Sequence, residues 1–286
     1  MSKNKIDVVN AYPIFTTVDK HPVTYCQKMR EDVFDYPFFN EGVYAYSSSE
    51  GRHILQSFLH KDTSNLLNLK GFIFHTSHCG STLLCRMLNQ IKNVKVLSES
   101  EAINGLLLSH KLYKLPNSET KKHLKAIIQK YQQKTDSKCN LVIKLTSWNV
   151  YLIDLFLQLF PDVPWIFIDR EQEALLNSLL KKDGGFIQWW SHRGDNVRKL
   201  FLEPETSIKN KSDYLKAMIL GHRNHAHKFK NGDCLFVEYP DFIKDYKRIL
   251  NHFQLHIEYE EELRINDVMK YDSKSMKSII WENKSR

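Results

Sequence analysis

Between an apolar run ending at His75 and an amphipathic stretch opening near Thr82 stands Thr76-Ser77-His78-Cys79-Gly80-Ser81. The order strand, polar turn, glycine, two hydroxyl residues and helix is what a phosphate cradle requires. Backbone N–H groups of a tight turn and of a helix's first turn aim at one anion, and the helix dipole adds partial positive charge there. Gly80 permits a close backbone approach, and Ser81 and Thr82 supply hydroxyls. Arg170 stands at the end of another apolar run, and Ser178 follows eight residues later, two turns into the helix expected there. A guanidinium grips a phosphate with two parallel hydrogen bonds, and the serine adds a further donor.

Two more groups are candidates for moving charge. The run VKVLSESEA presents Glu99 and Glu101 one loop beyond the cradle. Either carboxylate is a candidate general base, a role that contributes on the order of 10² to 10⁴-fold to a rate. Lys144 closes the run LVIKL, and an ammonium there would stabilise charge growing on a leaving oxygen. Plainer roles stay open at this stage: Ser81 as a helix cap, the glutamates in a helix's first turn, Lys144 reaching out to solvent. His110, His123, His192, His222, His225 and His227 show no metal-ligand spacing, and GHRNHAH reads as a polar helix face.

The elements that must hold these groups follow from hydrophobic periodicity. Apolar runs at 72–75, 141–145, 165–168 and 235–237 read as buried strands, with a shorter one at 94–97. Helical periodicity follows at 82–89, 150–160, 171–180 and 241–253, giving the alternation of a mostly parallel sheet. Leu124, Ile127, Ile128 and Tyr131 mark an amphipathic helix bracketed by polar loops at 116–119 and 134–138. Gly184-Gly185, followed by Trp189 and Trp190, suggests a flexible segment beside the acceptor or the nucleotide. The first seventy residues carry an aromatic cluster (Tyr36, Phe38, Phe39, Tyr44, Tyr46) without a clear period, and read as a flank or cap.

Composition narrows the partners. The formal charge is +8, and the basic residues are spread in short runs, which favours a basic pocket for a small polyanion over a nucleic-acid-binding arm. Five cysteines with no C-x-x-C pair fit neither a disulfide framework nor a zinc site, and reduced thiols point to the cytoplasm. No run is long and apolar enough for a membrane span, and the start of the chain lacks the apolar stretch of a signal peptide.

Against the kinase and ATPase pattern G-x-x-x-x-G-K-[ST], the loop keeps Gly80 and Thr82 but has His75 and Ser81 where the first glycine and the lysine belong. It resembles instead the 5′-phosphosulfate loop of the sulfotransferases that use 3′-phosphoadenosine 5′-phosphosulfate (PAPS), nearest in motif to the tyrosylprotein and bacterial members. Their basic residue followed by S-G-T-T is matched by His78-Cys79-Gly80-Ser81-Thr82, with histidine for the usual Lys or Arg. The resemblance covers roughly residues 70 to 255. It implies an α/β, P-loop-type three-layer fold with a mostly parallel central sheet flanked by helices. One domain would span 1–286, with 1–70 as flank and 71–286 as nucleotide-binding core and C-terminal segment.

It also implies roles. Ser77, His78, Cys79, Gly80, Ser81 and Thr82 would hold the 5′-phosphosulfate. Arg170 and Ser178 would hold the 3′-phosphate, with Lys274 and Lys277 as looser basic contacts. Counted from Gly80, Glu99 falls on the catalytic glutamate of the tyrosylprotein group, and Lys144 resembles the lysine beside the scissile sulfur–oxygen bond. The reaction implied is sulfuryl transfer to a hydroxyl or amine of a small molecule, glycan or peptide, with no metal. Homodimers are common in the family, although no segment here specifies one. The rival readings are a magnesium-ATP phosphotransferase, with Asp169 as metal ligand, and a non-catalytic nucleotide-binding module.

Overall fold

The computed structural model describes residues 10–46, 52–55, 66–134, 138–181, 187–203, 206–230 and 234–271. Strands β1 (Asn10–Thr16), β2 (Thr24–Met29) and β3 (His53–Ile54) form a small antiparallel sheet, with helix α1 (Phe39–Ala45) between the last two in sequence. The core then alternates: β4 (Asn68–His75), α2 (Ser81–Leu88), β5 (Val94–Ser98), α3 (Glu101–Tyr113), α4 (Asn117–Tyr131), β6 (Asn140–Lys144), α5 (Ile153–Leu159), β7 (Trp165–Arg170) and α6 (Gln172–Leu180). Short helices α7 (Ile187–Trp190) and α8 (Asp195–Arg198) precede the long α9 (Lys211–Lys228), and β8 (Cys234–Tyr239), α10 (Tyr246–His252) and α11 (Tyr259–Val268) complete the described chain.

The central sheet has the order β5-β6-β4-β7-β8, and every neighbouring pair is parallel. Because both faces are covered, its strands are continuous apolar runs whose alternate residues enter opposite layers. Phe72, Phe74, Leu141, Ile143, Trp165 and Phe167 join one core, beneath α3, α4, α5 and α9. Ile73, Val142, Ile166 and Ile168 join the other, with α2 and α10. This is the three-layer α/β, P-loop-type arrangement. The chain leaves β4 toward β5 and β6, then returns to add β7 and β8 on its other side. Ligand crevices in such sheets open at the carboxyl ends of the strands where the order reverses.

Several boundaries differ from the periodicity. Residues 117–119 are the first turn of α4 rather than a loop, because Pro116 stands at its N-cap, where a missing N–H costs nothing. The helix expected over 150–160 is a 3₁₀ turn at Ser147–Leu152 followed by α5, and that over 241–253 is a 3₁₀ turn at Asp241–Ile243 followed by α10. The first seventy residues hold an antiparallel sheet that no period announced. β1 packs so tightly on α3 that a Cβ added at Gly105 would lie 2.1 Å from the Thr16 carbonyl oxygen. GHRNHAH is not a polar face: His222 and Ala226 point into the core, one turn apart. The Gly184-Gly185 pair lies outside the described residues, as do Lys274 and Lys277. Among the described residues no helix is long and apolar enough to cross a membrane. All five cysteines are free thiols.

Candidate active site

The loop after β4 is built on left-handed backbone. Ser77 (φ 74°), His78 (φ 44°) and Gly80 (φ 81°) all occupy it, and a non-glycine residue there costs on the order of 1–3 kcal/mol. Such turns gather successive N–H groups into a concave, anion-binding nest. His75 holds the first of them. Its Nδ1 accepts from the Ser77 N–H at 3.0 Å, so its proton sits on Nε2, 2.9 Å from the Leu145 carbonyl oxygen. Gly80 is the N-cap of α2 and brings no side chain to the exposed N–H groups of its first turn. Its lack of a Cβ serves packing: a methyl there would meet the Tyr239 ring at 2.4 Å. Cys79 is fully buried, and burial pushes its thiol up to about 11, which keeps it protonated and inert.

Glu99 and Lys144 meet beside this loop. Pairing of β5 with β6 sets Ser98 against Lys144, and the next residue, Glu99, turns away from the strand with φ 56° while its N–H still donates to the Lys144 carbonyl at 2.9 Å. Its carboxylate Oε1 lies 2.6 Å from Lys144 Nζ and 3.7 Å from His75 Nε2. Lys144 is 1% exposed, so it does not reach for solvent, and its ammonium also donates to Thr82 Oγ1 at 3.1 Å. The Phe38 ring from the N-terminal flank covers it at 4.8 Å. Glu101, the alternative carboxylate, begins α3 on the exposed side, with its pKa raised by partial desolvation against a hydrogen bond from Tyr44.

On the other side of the loop, Arg170 ends β7. It donates from Nη1 to the His78 carbonyl at 3.2 Å and lies over the Tyr239 ring at 5.1 Å. His78 Nδ1 and Ser178 Oγ are 3.0 Å apart, so the serine two turns into α6 touches the loop directly. The structure therefore gathers Ser77 through Thr82, Glu99, Lys144, Arg170 and Ser178 at one edge of the sheet.

Asp169 is differently employed. Oδ1 accepts from Thr76 Oγ1 at 3.1 Å, from the Arg170 N–H at 2.8 Å and from Arg223 Nη2 at 3.2 Å, while Oδ2 accepts from Arg223 Nε at 2.7 Å. Three residues of the site were not singled out for it in the sequence. Phe38 was visible only as one of an aromatic cluster, His75 only as a missing glycine, and Arg223 only within a run that looked polar. None has a local pattern that announces a partner fifty or more residues away.

Fold and site together define a P-loop-type α/β protein whose loop of left-handed backbone is flanked by a buried lysine paired with a partly exposed glutamate and by a strand-end arginine. No family model and no curated sequence matches the chain. Solved structures that it is similar to are sulfotransferases. One from Mycobacterium avium is 13% identical, with 71% of this chain and 67% of that one covered and a TM-score of 0.47. The sulfotransferase domain of the curacin biosynthetic pathway is 12% identical, with 73% and 80% covered and a TM-score of 0.44. A mouse sulfotransferase complexed with PAP is 13% identical, with 72% and 66% covered and a TM-score of 0.41.

Proposed function

We propose that this protein is a sulfotransferase that moves a sulfuryl group from PAPS to a hydroxyl or amine acceptor. The observation that carries this reading is the pairing of the buried Lys144 with the partly exposed Glu99, at 2.6 Å, with the same ammonium on Thr82 of the loop. The pair puts a base and a cation side by side where the loop's anion would lie. The loop 77–82 holds the 5′-phosphosulfate, and Arg170 and Ser178 hold the 3′-phosphate. Lys274 and Lys277, beyond the described residues, remain candidates for the same phosphate.

In the transfer, the acceptor's proton passes to the Glu99 carboxylate as the acceptor oxygen or nitrogen bonds to sulfur. The bond from sulfur to the 5′-phosphate oxygen breaks, and that oxygen keeps the electron pair. Lys144 faces the negative charge so formed, and His78 donates from the loop. A positioned cation in a water-poor site stabilises the charge of the transition state at little reorganisation cost. The acceptor enters from the side of Phe38 and α1.

A phosphotransferase would need Asp169 free to hold a metal and a lysine in place of Ser81. The oxygens of Asp169 are instead taken by Arg223, Thr76 and the Arg170 N–H. Calorimetric titration with 3′-phosphoadenosine 5′-phosphate (PAP), beside magnesium-ATP, tests the donor. Preference for PAP that Arg170→Ala abolishes is the expected result. Preference for magnesium-ATP would establish the rival phosphotransferase, and binding of neither would leave a degenerate pocket. Cytoplasmic residence follows from the use of PAPS with free thiols and belongs to the same proposal.

A further inference from the structure

Arg223 lies on α9, forty-five residues beyond Ser178, and all of its described hydrogen bonds end on the turn that carries Arg170. Nε and Nη2 take the Asp169 carboxylate at 2.7 and 3.2 Å, Nη2 also donates to the Arg170 carbonyl at 2.7 Å, and Nη1 donates to Gln172 Oε1 at 2.9 Å. The Arg170 N–H in turn donates to Asp169 Oδ1 at 2.8 Å. Both backbone groups of Arg170 are thus fixed, one through Asp169 and one by Arg223 itself. Thr76 Oγ1, on the same carboxylate, ties this junction to the start of the phosphate loop.

We infer that Arg223 is a positioning residue for the bisphosphate end of the donor: with Asp169 it aims the Arg170 guanidinium at the 3′-phosphate and keeps Asp169 from facing that phosphate as a free anion. The inference rests on the donor reading above. Two physical points carry it. A long arginine side chain loses rotamer freedom whenever it grips a ligand, and fixing its backbone beforehand lowers that loss. An unpaired carboxylate adjoining an anion site would repel the ligand, and the guanidinium of Arg223 cancels that charge in a bidentate pair. Only arginine's planar fork serves two carboxylate oxygens and a carbonyl at once, and lysine reaches one of them.

The test compares PAP with 5′-AMP, which lacks the 3′-phosphate, by calorimetry on the full chain. The wild type binds PAP more tightly than AMP. Arg223→Ala lowers that ratio about tenfold, within the coupling seen for neighbours in one hydrogen-bond network, while AMP affinity stays within about twofold. Arg223→Lys gives an intermediate ratio. Arg170→Ala with Arg223→Ala lowers the ratio below Arg170→Ala alone by less than Arg223→Ala lowers it in the wild type, since only the uncancelled Asp169 charge is left to act. A merely structural role would lower thermal stability and weaken both ligands alike, leaving the ratio at its wild-type value, and that result overturns the inference while the donor reading stands. Where Arg223→Ala does not fold, Arg223→Lys decides by the same ratio. A wild type with no preference for PAP over AMP overturns the donor reading and this inference with it.

Discussion

Lys95 and Lys144 stand on neighbouring strands, β5 and β6, and each is about 1% exposed. Lys95 lies near the amino end of its strand, away from the loop that follows the carboxyl end of β4. Its ammonium donates to the Tyr131 and Gln133 carbonyls and to Tyr12 Oη, pairs with Glu31 at 3.2 Å, and rests on the faces of Tyr12 and Phe34. Burial lowers its pKa, with Glu31 opposing. Lys144, at the carboxyl end, meets a carboxylate and a hydroxyl that belong to the loop edge, with one aromatic ring above. Burial alone therefore does not separate a structural cation from a chemical one. What separates them in the proposed reading is position: each pairs with a partly exposed glutamate, but only Lys144 stands at the carboxyl edge of the sheet, on the hydroxyl of Thr82 at the head of α2.

The sharpest way to break this contrast is to remove each charge and read turnover and stability together. Lys144→Met and Glu99→Gln are expected to lower turnover by on the order of 10² to 10³-fold. PAP affinity should change far less, because Arg170, Ser178 and the loop are intact. Sulfuryl transfer from labelled PAPS to a panel of phenols, alcohols and amines supplies the readout. Retention of most of the activity in both variants would make the pair a structural one, like Lys95.

The converse change moves the other observable. Lys95→Met leaves Glu31 partly buried beside Tyr12 with no cation, a loss of about 2 kcal/mol in urea unfolding. Adding Glu31→Gln should recover part of it, since a buried pair removed whole costs less than one half removed. Turnover per folded molecule stays at the wild-type level. A fall in turnover without a fall in stability would mean that the amino end of the sheet also feeds the chemistry.

The core was legible because a buried parallel strand writes itself as a short apolar run, and all five central strands lie where those runs stood. Gly80, Arg170 and Ser178 were legible because strand, turn and helix fix their spacing locally. Lys144 was legible as an anomaly, a charge ending a buried strand. The flank was not, since β1 and β2 carry Pro13, Thr16, Gln27 and Lys28 inside partly exposed strands that lack a clean alternation. Arg223 was hidden for another reason. Its partner Asp169 is fifty-four residues away, and the run around it alternates buried and exposed histidines that a sequence shows as uniformly polar.

His222 offers a third kind of buried basic group, one whose proton the fold disfavours. It is fully buried, and its pKa is pushed down to about 3 by burial, with smaller contributions from His75 and His225. The unfolded chain takes up this proton near 6.5, the folded chain only near 3. The stability this group confers is thus complete above about pH 6.5 and is lost as pH falls toward 3. The slope is at most about 1.4 kcal/mol per pH unit. Urea unfolding at pH 7, 6, 5 and 4 should show a shallower fall for His222→Leu than for the wild type. Coincident slopes would mean that the folded protein protonates His222 as readily as the unfolded chain.

The smallest expected effect tests the ring that the flank lays over Lys144. Phe38 covers Lys144 at 4.8 Å, and the neighbouring Asn40 Nδ2 reaches the Glu99 carbonyl at 3.5 Å. A ring over an ammonium is worth about 0.5–2 kcal/mol depending on desolvation. Phe38→Ala should therefore raise the acceptor KM roughly three- to tenfold while PAP affinity holds, because the acceptor path proposed above runs past this ring. Phe38→Leu restores the cover without the quadrupole, so it separates the two contributions: recovery of KM assigns the ring to excluding water, and no recovery assigns it to the cation. A change confined to PAP affinity would place Phe38 on the donor side and move the acceptor's entrance elsewhere along the carboxyl edge.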